Sequence, residues 1–155
     1  MSTQAQTVAG TKIYISAVLP TTQDANVTTG FPSITTWNLI AEVTDQGEHG
    51  AVFDLVTHQP VSDRRKYKFK GGYDNGTKSI KFGKITLAGS DPGQNMLKAA
   101  AAGDADYAFK TVYQDNTKEY FQAKCMGIKT AVGTLNNILG GSTDLQVTSD
   151  IIETL

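Results

Sequence analysis

Cysteine is nearly absent: the 155 residues hold one, Cys125. A lone thiol excludes an intrachain disulfide and a zinc site built from several cysteines, and it fits folding in a reducing compartment. Charged residues make up only 19% of the chain, and there are four prolines, two histidines and one tryptophan. No apolar run approaches the roughly 18 residues that a membrane-spanning helix needs, so no membrane association is expected. The opening Met1-Ser2-Thr3-Gln4-Ala5-Gln6-Thr7 has neither a basic nor an apolar stretch, so no cleaved signal peptide is expected either. Missing too are the Ala, Glu, Lys and Leu excess of a coiled coil and the glycine repeat of collagen.

What fills the chain is small and polar: 20 Thr, 8 Ser and 15 Gly. Thr is β-branched and favours strands, and Gly favours turns, so the composition leans towards β structure. The length is that of one domain. Net charge is −1, but segment 64–84 carries +7, with −5 before it and −3 after it. Opposite patches on one surface allow a molecule to attract copies of itself.

Period-two alternation predicts strands from Lys12, over Trp37–Val43 (Trp37, Leu39, Ala41 and Val43 on one face), over Ala51–Thr57, over Arg64–Lys70, over Ser79–Leu87 with a bulge at Gly83, from Tyr107, over Glu119–Thr130 and over Leu145–Ile152. Pro60 closes the third of these. Gly71-Gly72 and Asp74-Asn75-Gly76 read as a turn-rich connection, with Asn75-Gly76 a hairpin signal. Residues 20–36 read as a long loop pinned by Phe31 and Ile34, and residues 133–142 as a Gly/Asn-rich connection. One helix of about three turns is predicted, capped by Asp91 or Ser90, opened by Pro92 and stopped by Gly103. The fold class expected is mainly β: an antiparallel sandwich or barrel-like subunit with one short flanking α-helix. Residues 1–10 read as a flexible arm, 11–147 as the domain and 148–155 as a C-terminal strand or arm.

Patterns for chemistry are absent. Cys125 lies mid-strand and reads as a buried structural thiol. His49 and His58 stand beside a turn and at a strand end, and both are expected to be solvent-exposed. Asp104, Asp106 and Asp74-Asn75-Gly76 lack the full spacing of a calcium loop, and the Gly71-Gly72…Gly76 cluster lacks the Lys-Ser/Thr of a phosphate loop. No catalytic residue, metal site or cofactor is expected. In Arg64–Lys70, alternation puts Lys66, Lys68 and Lys70 opposite Tyr67 and Phe69, whose rings are expected on the core. Separating rings from lysines weighs against a stacking platform for nucleic acid, which stays as an alternative function.

The order of several segments resembles the major tail tube proteins of long-tailed bacteriophages. They are Gly10-Thr11-Lys12-Ile13-Tyr14-Ile15, the acidic turn after Trp37, Ala51–Lys70, the Asp91-Pro92-Gly93-Gln94 start of the helix, Tyr107–Tyr113, Tyr120–Ile128 and Gln146–Ile152. The resemblance implies a subunit of stacked hexameric rings that form a hollow conduit for DNA. It implies edge-to-edge strand pairing around the lumen and an early loop that bridges rings. Implied partners are copies of the same chain, the tape measure, tail terminator and distal tail proteins, and genomic DNA that passes without specific binding. The implied location is the virion tail, after assembly in the host cytoplasm. A tube protein of a contractile tail or phage-derived particle is the related alternative.

Carried onto this sequence, the bridging loop is His58, Gln59, Pro60, Val61, Ser62, Asp63, Arg64, Arg65, Lys66, Lys68 and Lys70. Glu42, Asp45, Glu48, Asp104 and Asp106 are candidate acidic partners for its basic cluster. The arms 1–10, about 30 Å long if extended, and 148–155 are further candidates for assembly. A lumen that lets DNA slide should avoid lysine and arginine, which bind phosphates. Asp54 and Glu119 are the expected lumen-facing acids.

Overall fold

The computed structural model describes residues 4–87 and 91–155. Met1–Thr3 of the expected arm, and Ser90 as an alternative helix cap, lie outside the described residues. Among the described residues there are ten strands: β1 (Lys12–Ser16), β2 (Asn38–Leu39), β3 (Val43–Asp45), β4 (Val52–His58), β5 (Tyr67–Asp74), β6 (Thr77–Gly83), β7 (Tyr107–Val112), β8 (Lys118–Ala131), β9 (Gly140–Val147) and β10 (Ile152–Thr154). One α-helix, α1 (Pro92–Ala102), lies between β6 and β7. The mainly β class with a short flanking helix is as expected.

Eight strands form one antiparallel sheet in the order β2-β1-β7-β8-β9-β6-β3, with β10 paired to the start of β8. The outermost strands, β2 and β3, are separated in sequence by only Ile40, Ala41 and Glu42. Three residues span at most about 11 Å, so the sheet must curl until its two edges nearly meet. The corner is turned by Glu42, whose φ of 59° lies in the left-handed region. This breaks the single strand expected over Trp37–Val43. Ile40 points inward there and Leu39 is exposed, the reverse of the predicted face.

Helix α1 seals the seam. The Asp91 side chain caps it by accepting from Gln94 N, and Asp91 Oδ2 also accepts from Ala41 N at 3.2 Å. Gln94, 1% exposed, donates to Ala41 O at 3.0 Å and Gly83 O at 2.9 Å and accepts from Ile85 N at 3.0 Å. One side chain therefore satisfies backbone groups from both sides of the gap, which buried polar groups require. Gly93 allows this approach: a Cβ there would lie 2.0 Å from Leu39 O.

Inside the curl, alternate residues Ile13, Ile15, Ile80, Phe82, Phe109, Phe121, Cys125 and Leu145 form the main core with Leu97 of the helix. Phe109 and Phe121 stack with centroids 5.3 Å apart. The opposite face of β7 and β8 is covered as well. The long loop brings Phe31 and Ile34 onto Ala108 and Tyr120, as the sequence implied. The C-terminal reading needs correction: Leu145–Ile152 is not one strand. β9 ends at Val147, and β10 returns to pair Ile152 with Tyr120. Likewise β6 ends at Gly83, where the bulge was expected, and not at Leu87.

A candidate assembly surface and the cluster at its root

Among the described residues, β4 and β5 form a separate two-stranded sheet and pair only with each other. Asn75-Gly76 makes the expected turn, with Gly76 at φ 77° and its N–H donated to Asp74 Oδ1. The flanking strands β5 and β6 belong to different sheets, however, so no hairpin forms around it. The real hairpin partner of β5 is β4, through the loop 59–66, with Leu55↔Lys70, Val56↔Phe69, Thr57↔Lys68 and His58↔Tyr67 opposed. Gly71-Gly72 lies within β5, where the register shifts, and does not end it.

Every residue of β4 is exposed, and β5 is exposed throughout except at Gly71. Val56 and Phe69 share one face, 49% and 56% exposed. Tyr67 joins them, 38% exposed, and neither ring belongs to a core cluster, so the expectation that Tyr67 and Phe69 cover the core is overturned. Lys68 and Lys70 lie on the other face, as alternation required. Phe53, in phase with Leu55, lies on that face too, and the register shift brings Tyr73 to it: the two rings lie 5.0 Å apart, and Lys70 Nζ stands 4.0 Å over Phe53.

At the tip, Asp63 accepts from Arg65 N and the Tyr67 hydroxyl, which holds its carboxyl below the usual range. Gln59 donates to Arg64 O, and the Arg65 guanidinium sits 5.7 Å from the Tyr67 ring. Among the described residues no ion pair joins Arg64, Arg65, Lys66, Lys68 or Lys70 to any acid. Of the candidate acids, Glu42, Asp45, Glu48 and Asp104 are exposed. Asp45 accepts from Gly47 N. Asp106 is already engaged, paired with Lys124 at 2.7 Å and accepting from Thr148 Oγ1.

The root of the hairpin holds a cluster that the sequence reading missed. His49 lies in the segment leading into β4, and Lys78 lies just past the turn that leaves β5. Lys78 is in phase with Ile80 and Phe82, points inward, and is 1% exposed. Its Nζ meets His49 Nδ1 at 2.8 Å, and His49 Nε2 bonds Glu119 Oε2. The imidazole stacks on Phe121. His49 is therefore largely enclosed, against the exposed reading, and Glu119 is held by His49 and Tyr113 and does not project freely. Burial lowers the Lys78 pKa to about 8, opposed by the Glu119 charge. Burial and the Glu119 hydrogen bond raise that of Tyr113; the His49 bond lowers that of Glu119. Beside the cluster, Tyr73 Oη and Asn75 Nδ2 both donate to Asp150 Oδ1. A cleft of ≈ 460 Å³ opens there, lined by His49, Asn75, Glu119, Asp150 and Glu153 among others.

Lys78 gives a pH prediction. Its folded pKa lies below its unfolded value, so the cost of burying the charge is fully present below about pH 8 and is relieved as pH rises towards 10.5. At about 1.4 kcal/mol per unit, the cost approaches roughly 3 kcal/mol. Lys78→Met removes this titration together with the donor to His49, and it is expected to flatten the rise in stability above pH 8, measured by urea unfolding against pH.

No protein-family model matches the sequence, and no curated protein matches it. Solved structures do. A chain of the anti-feeding prophage baseplate is 12% identical, with 99% of this chain and 97% of that one covered at a TM-score of 0.64. A chain of the sheath/tube terminator structure of an extracellular contractile injection system, in the extended state, is 8% identical, covered over 99% and 100%, at 0.59. A chain of the anti-feeding prophage tube-terminating cap is 8% identical, covered over 99% and 94%, at 0.53. At these identities the likeness is one of fold: along its whole described length, the chain has the fold of chains found in prophage-derived and contractile injection particles.

Proposed function

We propose that the chain is a structural subunit of a tail-like tube, which joins copies of itself into stacked hexameric rings around a conduit. The observation that carries this reading is the β4–β5 hairpin. Two strands alone are marginal in water, and this pair exposes apolar side chains on both faces. Exposed apolar patches of this kind mark surfaces that another protein covers. Its two outer edges carry free backbone donors and acceptors, a template for pairing with a further strand.

The particles in which the fold recurs support a role inside a tail, with other tail proteins as partners and the virion or a related particle as location. They favour a particle of the contractile kind over the long-tailed phage that the sequence resemblance named. Asp54 shares the alternation of Val56, on the ribbon face away from Lys68 and Lys70, so that face carries an acid and no lysine of β5. Glu119 leaves that role, because His49 engages it.

Negative-stain microscopy of the concentrated protein is expected to show rings or tubes. A monodisperse monomer at every concentration would overturn the proposal. The basic tip is assigned to contacts between rings or subunits. Reversing Arg64 and Arg65 to Glu is expected to shorten tubes and shift their salt tolerance, and unchanged length and salt response would remove the tip from assembly.

A second reading has one observation in its favour: Phe53 and Tyr73 pack together with Lys70 over the Phe53 ring, the pairing of rings and cations that single-stranded nucleic acid uses. Titration with single-stranded oligonucleotide at increasing salt separates the two. Tight binding that weakens steeply with salt, together with no tubes, would favour this alternative.

A further inference from the structure

The hairpin's ladder does not continue into the barrel, so its position is set where the chain enters and leaves it. His49 stands on the incoming segment and Lys78 just past the outgoing one. Glu119 and Phe121 of β8 form the wall against which both sit. Tyr113 donates to Glu119 from the end of β7, and Glu153 of β10 lies directly opposite Glu119 in the ladder. On the outgoing side Asp150 accepts from Tyr73 and Asn75. These are the titratable and charged groups around the imidazole. Their bonds tie the ribbon's root to the barrel.

The geometry fixes a proton count. Lys78 Nζ and His49 Nδ1, 2.8 Å apart, can hold one proton between them, with the other ring nitrogen's proton donated to ionised Glu119. In that state the trio of Lys78, His49 and Glu119 is electrically neutral. A second proton leaves Nδ1 without a lone pair, so Lys78 loses this acceptor and two cations face each other inside an enclosed site. We propose that this cluster is a proton-operated latch on the hairpin: closed while Lys78 and His49 share one proton, and opened by the next, which enters from solvent through the adjoining cleft. Opening loosens the incoming side of the root, while the Asp150 bonds on the outgoing side persist, so the β4–β5 ribbon can shift about that side relative to the barrel.

The latch is independent of the assembly proposal, because it is read on the dilute, unassembled chain. Spin labels are placed at Ser62→Cys on the tip and Lys129→Cys on the barrel, in a Cys125→Ser background, and their distance distribution is measured at pH 7.5 and pH 5. The expected result is a narrow distribution at pH 7.5 that shifts or broadens by about 5 Å or more at pH 5, the scale of an element-level movement. Tryptophan fluorescence should stay native at both. His49→Gln keeps an acceptor for Lys78 and a donor for Glu119 without titrating, so its distribution is expected to remain narrow at both pH values. Identical wild-type distributions at the two pH values would overturn the latch. So would a His49→Gln variant that opens with acid as the wild type does.

Discussion

Replacing Val56 and Phe69 together with lysine is expected to abolish rings and tubes while the barrel stays folded. The two residues oppose each other on one face of the hairpin, about half exposed, and lie outside the buried core clusters. Their substitution removes apolar surface that only a neighbour could cover and places two like charges directly opposite, which repels within and between copies. Surface changes away from the core usually alter stability by no more than about 0.5 kcal/mol. The thermal midpoint should therefore stay within a few degrees of the wild type, while negative stain shows no assemblies. Tubes of normal appearance would remove this face from the interface. A collapse of the thermal midpoint would mean that the hairpin supports the fold of the single chain.

The second large effect is the opposite: Gln94→Leu is expected to cost about 3 kcal/mol or more in the isolated subunit. Leucine is close in size and fits a helix, so neither volume nor propensity is at fault. The loss is of partners. Ala41 O, Gly83 O and Ile85 N all bond to the Gln94 amide at the seam between the sheet's two edges. Leaving buried groups unsatisfied costs about 1–3 kcal/mol each. Urea unfolding measures the loss. A change below 1 kcal/mol would show that the seam is held by the Asp91 contacts without Gln94.

The contrast between these positions explains how much the sequence disclosed. Ile13 and Ile15, Phe109, Phe121 and Leu145 announce themselves, because one buried face imposes strict alternation. Asp91, Pro92 and Gly103 bracket the helix, because capping chemistry is local. Phe31 and Ile34 stood out as apolar residues in a polar loop. The misreadings share one cause: their determinants are distant in sequence. Trp37–Val43 alternates well enough for a strand, but it bridges the two edges of a curled sheet and has to turn a corner at Glu42. Asn75-Gly76 carries the chemistry of a tight turn, and nothing local says that the strands on either side join different sheets.

The candidate site divides in the same way. The basic cluster and its alternation were visible, and their face assignment held for Lys68 and Lys70 against Tyr67 and Phe69. The exposure of those rings was not visible, because a strand in an exposed ribbon alternates just as a strand on a core does. The root cluster left one usable sign. Lys78 keeps step with Ile80 and Phe82, and a lysine in an apolar phase is a charge directed inward. His49 left none, since its partners come from β6 and β8, 29 and 70 residues away.

A ribbon with two open sides offers each molecule two places at which a further strand could pair. If copies add along those sides, a chain of two, three or five members still has one bare flank at each end, and no number of additions short of a complete circuit removes both. The final copy makes two junctions on a single arrival, so incomplete arcs should be scarce and the population should divide between singles and finished circles.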